Sequence, residues 1–213
     1  MANATESIAF DTAARERQAD RLGMWVFIAS EALLFAAVIL AYLVVRTHHG
    51  AAFAAGSKEL SFGLGTTNTA VLLTSSLAMA IAETKVDERN GLRASRLLLA
   101  IAAGLGALFL AIKFAEYHDE YARGLVPLFG WPFTYGGADQ RGVALFFDFY
   151  FAMTALHALH LVLGIVTIAG IALLWDRSGT ATRRRRTTAV ALYWHFVDVV
   201  WVFLYPLLYL INR

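Results

Sequence analysis

Eight ionisable side chains lie within stretches that are otherwise fit for lipid: Glu31, Lys113, Glu116, Asp148, His157, His160, His195 and Asp198. Charge is expensive inside a bilayer, so each of them needs a partner or a role. Lys113 and Glu116 are spaced i, i+3 and therefore share a helix face. With Asp148 they make up a candidate ion pair toward one end of the membrane. His157 and His160 repeat the i, i+3 spacing, as do His195 and Asp198. Such pairs on facing helices can hold iron or a haem, although a di-iron centre would want several more carboxylates and histidines at depth. The competing reading is an intramembrane network of His157, His160, His195 and Asp198 that packs helices or touches a lipid headgroup.

Glu31 is the most informative of the eight. It stands about 13 Å into the first apolar stretch at 1.5 Å per residue, too far from Arg46 to pair with it. It reads as a buried acid with a proton-exchanging role, or as an acid that pins two helices. His195, Ser75 and Ser76 are its candidate partners.

These side chains must be positioned by membrane helices. A spanning helix needs about 20 apolar residues, and five stretches qualify: 22–45, 66–82, 97–116, 142–175 and 190–211. The fourth exceeds what a bilayer requires and is expected to tilt or project into water. The expectation is an all-α, polytopic membrane protein: a polar N-terminal segment, 1–21, followed by one five-helix transmembrane domain, 22–213. The N-terminal segment carries charges of both signs, unlike a signal peptide. Within it Ile8 and Phe10 could rest on a membrane surface.

Composition agrees. The chain has 213 residues, 59% of them hydrophobic, and only 16% are charged, against roughly 25% in an average soluble domain. A soluble enzyme is thereby disfavoured. Cysteine is absent, which excludes disulfides, iron–sulfur clusters and thiolate metal sites. A net charge of +2 gives no support to nucleic-acid binding.

Lysine and arginine set the orientation. Twelve of them fall in the N-terminal segment, the second connection and the fourth connection, and five on the opposite side. The N-terminus is accordingly placed in the cytoplasm and the C-terminus in the periplasm, with the run from Arg183 to Arg186 as a topology anchor. Ala103, Ala107 and Ala111, with Gly104 and Gly106, permit close helix packing in lipid. Pro206 removes a backbone donor in the fifth span and is expected to distort its end. The connection 118–141, with Pro127, Gly130, Pro132, Gly136 and Gly137, reads as an ordered external loop.

Five ordered motifs carry a resemblance. They are Gly23 to Phe35 with its Ser30-Glu31 pair, Asn68 to Ser76, Lys113 to Tyr117, Thr154 to Gly164, and Tyr193 to Leu210 with Trp194-His195-Phe196-Val197-Asp198. In this order the chain resembles the subunit III family of the haem–copper oxidases (cytochrome c oxidase subunit III), in its short five-helix bacterial form. Thr154-Ala155-Leu156-His157 departs from the family's Thr-Gly-x-His by one small residue.

The resemblance implies a non-catalytic subunit of a respiratory terminal oxidase in the bacterial inner (plasma) membrane. Such a subunit supports the stability and proton uptake of the oxygen-reducing, proton-pumping subunit I in aerobic electron transport. It implies no catalytic, cofactor or metal residue in this chain, with haem and copper on partner subunits, and bound phospholipid. Subunit I is the direct partner, with subunit II and other oxidase subunits beside it. Alternatives within the family are subunit III of a bo-type quinol oxidase and the subunit-III-like protein associated with nitric oxide reductase. Outside it, the rivals are a small proton-coupled transporter built on Glu31, Lys113 and Asp148, and a haem-binding anchor using His157 or His160 with His195.

Overall fold

The computed structural model describes residues 2–86, 88, 91–127, 133–175 and 179–211, with the backbone alone at 2–17 and 19–21. The side chains of Ile8 and Phe10, and the residues Gly130, Pro132 and Arg177, lie outside what is described. Six helices follow in order among the described residues: α1 (Ala2–His48), α2 (Gly50–Glu59), α3 (Phe62–Lys85), α4 (Leu92–Ala122), α5 (Gln140–Leu173) and α6 (Thr180–Tyr209). Five of them, α1 from Leu22 onward and α3 to α6, are long and apolar enough to cross a membrane. The chain is a multi-pass membrane protein. Four of the helices begin well before the apolar run does or continue past it. Hydropathy marks the thickness of lipid, whereas backbone hydrogen bonding carries a helix on into polar surroundings.

The short helix α2 has no counterpart in the sequence expectations. Its ten residues are too few to span, but Ala52, Phe53, Ala54, Gly56 and Ser57 are all buried.

By internal contacts the chain divides into two compact units, Met1–Val38 and Ile39–Arg213. The first is the larger part of α1. Within it the Ser30 hydroxyl donates to the Phe27 carbonyl at 2.7 Å, satisfying a polar side chain on its own helix.

The second unit holds a four-helix ring. Helix α3 packs on α4 and α6, and α5 packs on α4 and α6. Successive helices of the ring run in opposite directions, so that Ser75 of α3 meets Ala102 of α4 and Tyr193 of α6 meets His160 of α5. The Ser95 hydroxyl near the start of α4 donates to the Ala82 carbonyl near the end of α3 at 2.8 Å, fixing that turn. Helix α2 lies against α5.

The ring closes around large side chains set on glycines. Trp194 of α6 is fully buried. Its indole Nε1 donates to Ser75 of α3 at 3.1 Å, and its ring fills the space that side chains at Gly106 of α4 and Gly164 of α5 would occupy. One indole therefore meets all three other helices. Ser75 in turn donates to the Ala102 carbonyl at 2.9 Å.

Helix α6 runs three residues past Pro206, to Tyr209. Its last carbonyls, which have no donor within the helix, are served from elsewhere. Tyr42 donates to the Leu207 carbonyl at 2.6 Å, and Ser57 donates to the Leu208 carbonyl at 2.7 Å. These bonds tie Tyr42 of α1 and Ser57 of α2 to the end of α6. Pro206 lies inside the helix, and its own carbonyl accepts from the Leu210 N–H at 3.3 Å.

Candidate functional site

At one end of the ring Lys113 is buried, 4% exposed, with Glu116 beside it at 2%. The Lys113 ammonium donates to Glu116 Oε2 at 2.9 Å, to the Tyr150 hydroxyl at 2.8 Å and to the Tyr209 hydroxyl at 2.9 Å. These three bonds use all three of its protons. The Tyr209 hydroxyl lies 2.9 and 3.0 Å from the two Glu116 oxygens, so it accepts from the cation and donates to the anion. Four aromatic rings surround the ammonium with centroids 4.6 to 5.7 Å away, those of Tyr150, Tyr117, Tyr209 and Trp201. That arrangement suits a cation held out of water. The ion pair thereby joins α4 to α5 through Tyr150 and to α6 through Tyr209. Tyr117 is hydrogen-bonded to Thr154, a second α4–α5 link at the same level.

Asp148 stands apart from this pair. It is half-buried and makes no hydrogen bond or ion pair among the described residues. The reason is helical geometry: Tyr150 points inward to Lys113, and a residue two positions away lies about 200° around the helix.

Glu120 enters the cluster unforeseen. It is 0% exposed, and neither carboxylate oxygen has a hydrogen-bond partner among the described residues. It follows Glu116 by four residues and Lys113 by seven, so the heptad spacing alone would have put it on the same face. An apolar span ending at residue 116 hid it.

The histidine and aspartate set is dispersed. His157 is fully buried between the rings of Phe109, at 5.4 Å, and Trp201, at 5.0 Å. Neither of its ring nitrogens has a hydrogen-bond partner among the described residues. His160 Nδ1 bonds to the carbonyl of Leu156 on its own helix at 2.8 Å. His195 Nδ1 meets the Ser76 hydroxyl at 2.8 Å, a link from α6 to α3. Both Asp198 oxygens are buried, with no hydrogen-bond partner among the described residues. His160 and His195 each bond to a neighbour of their own, Leu156 and Ser76. Each i, i+3 pair shares a helix face, but helix rotation turns the members toward different neighbours. Among the described residues no group of three or more histidine, aspartate or glutamate side chains could hold a metal ion.

Glu31 lies in the first unit. Its expected partners in the second unit are engaged there, Ser75 with Ala102 and Trp194, and Ser76 with His195.

The geometry is that of buried tethers between helices, and comparison with known proteins supplies the context. A family model described as "Cytochrome c oxidase subunit III" matches residues 5–212. Among curated relatives, "Cytochrome c oxidase subunit 3" of Thermostichus vulcanus is 32% identical over 209 residues, 97% of this chain and 94% of that protein. "Cytochrome bo(3) ubiquinol oxidase subunit 3" of Pseudomonas aeruginosa is 27% identical over 192 residues, 89% of this chain and 84% of that protein. "Heme-copper oxidase subunit I+III" of Aeropyrum pernix is 27% identical over 198 residues, 90% of this chain and 22% of that protein.

Proposed function

The chain belongs to the cytochrome c oxidase subunit III family, and from that premise we propose how it serves its complex. It is an accessory subunit III of a haem–copper terminal oxidase and assembles with other oxidase subunits. The observation that carries this is the family match over nearly the whole chain, motif order included. Subunit I is its direct partner, a reading supported by a relative in which I and III are named as one protein. There it supports the stability and proton uptake of the oxygen-reducing chain, with subunit II and bound phospholipid beside it.

Glu31 is the residue we assign to proton exchange, from its position deep in the first span and its place in the Ser30-Glu31 motif. Lys113, Glu116, Tyr150 and Tyr209 hold the ring closed, which suits a subunit that lends rigidity. Haem and copper belong to the partner subunits. The complex lies in the bacterial plasma membrane with this chain's N-terminus cytoplasmic and its C-terminus periplasmic, as the twelve-to-five division of basic residues supports.

The electron donor we favour is cytochrome c, supported by the greater identity to a cytochrome c oxidase subunit than to a ubiquinol oxidase subunit. Isolation of the intact complex through a tag on this chain tests the reading. Co-purification of haem-containing subunits, with oxidation of reduced cytochrome c, is expected. A tagged chain that emerges free of haem proteins overturns it. A complex that oxidises quinol and not cytochrome c moves the chain to the bo-type branch.

A further inference from the structure

We propose that the outward face of α5 around Asp148 docks on a membrane helix of another oxidase subunit, one that presents a lysine or arginine at the depth of Asp148. The inference rests on the family reading, since it presumes a complex, and adds the face and the chemistry of its partner.

Asp148 is an unmatched charge among the described residues. Among the described residues of the ring, Lys113, Glu116, Glu120, His157 and Asp198 are all buried, and His195 is bonded to Ser76. Asp148 differs from all of them. It is half-buried, beside the exposed Leu145 and Ala152, with no hydrogen bond or ion pair among the described residues. It lies two residues from Tyr150, whose hydroxyl binds Lys113, so it sits close to the depth of that ion pair. A carboxylate facing lipid at such a place is costly unless something pairs with it. No cation among the described residues does so, and a complementary charge on another chain would supply the match.

The surface around Asp148 suits a helix. Residues 145, 148, 152, 155 and 159 recur at helical spacing on one stripe. Leu145 and Leu159 are 36% and 55% exposed, and Ala152 and Ala155 are exposed between them. Alanines one and two turns from the carboxylate let a neighbouring backbone come close, which is how membrane helices pack without a hydrophobic drive. Helix α4 has a comparable exposed stripe of small residues, Gly104, Ala107 and Ala111. That stripe has no ionisable group, so charge complementarity selects α5 over α4.

The absence of native cysteine makes a direct test available. Asp148→Cys, Ala155→Cys and Ala107→Cys are introduced singly, and maleimide labelling rates are measured in the intact complex and again after detergent has released the chain. Residues 148 and 155 are expected to label at least tenfold more slowly in the complex, with no such change at 107. Asp148→Lys is expected to lower recovery of the complex at least tenfold, and Asp148→Asn far less. Equal labelling of residues 148 and 155 in both states means that they face lipid or water, and overturns the inference while the family reading stands. Shielding at 107 in place of 155 moves the interface to α4 and overturns it equally. A wild-type chain that never co-isolates with haem-containing subunits fails the family reading itself. The Ala155 variant leaves the carboxylate intact, so the test survives if substitution of Asp148 prevents folding.

Discussion

Gly106 of α4 and the indole of Trp194 occupy one another's space: a Cβ built on the glycine would stand 2.9 Å from the Trp194 Cη2 atom. A buried tryptophan is admitted there because the facing helix offers bare backbone. The same relation recurs between Gly65 and Tyr209, where a Cβ would fall 2.8 Å from the ring. Tyr209 carries the hydroxyl that bridges Lys113 and Glu116, so the glycine also positions the polar cluster.

Gly106→Ala should therefore displace Trp194 and destabilise the ring by about 1–3 kcal/mol, the usual cost of overpacking. Gly104→Ala, where nothing lies within 4 Å of the added Cβ, should change stability little. Thermal unfolding of the purified complex, followed by dissociation of this chain, compares the two. Equal midpoints would show that Trp194 tolerates the extra methyl.

Lys113→Met removes the cation from a carboxylate that is 2% exposed. Breaking a buried pair from one side costs about 3–5 kcal/mol, because the remaining charge is uncompensated. The double variant Lys113→Met with Glu116→Gln should recover much of that loss. A double-mutant cycle in denaturant measures the coupling, and strict additivity would deny that the two residues act as a pair.

His157→Phe should cost no more than about 1–3 kcal/mol, the usual cost of a larger side chain in a packed core. The imidazole sits between Phe109 and Trp201 and makes no hydrogen bond among the described residues. His157→Ala should cost several kcal/mol through the cavity it leaves, on the order of other aromatic-to-alanine changes. Should the phenylalanine variant be as damaged as the alanine one, a nitrogen of His157 has a partner of its own.

Glu31→Gln should leave assembly intact, since a neutral amide keeps the shape of the acid, and should slow proton uptake if Glu31 exchanges protons. Recovery of the complex and the rate of proton uptake per turnover are read separately. Loss of assembly would assign Glu31 a structural role, and full recovery of both would remove it from the proton route.

Much of the candidate site was legible in the residues. The i, i+3 spacing of Lys113 and Glu116 placed them on one face, and the structure puts them 2.9 Å apart. Asp148 was grouped with them by depth alone, because sequence position measures height along a helix more readily than direction around it. Glu120 was missed for a related reason: it lies beyond the apolar run, while the helix and its burial continue. Tyr150 and Tyr209 gave no signal, since tyrosines near span ends also serve as interfacial anchors.

By itself the sequence determined that this is a five-span membrane protein of the cytochrome c oxidase subunit III family. Hydropathy is a sum over neighbouring residues, and motif order is a property of the chain alone, so neither needs a tertiary partner. Only the tertiary structure decided which side chains meet. The rotation of each helix about its axis follows from how rings such as Trp194 and Tyr209 seat on the glycines of other helices. That rotation turned Tyr150 inward to Lys113 and Asp148 outward. It also set His157 between the rings of Phe109 and Trp201 and brought His195 to Ser76.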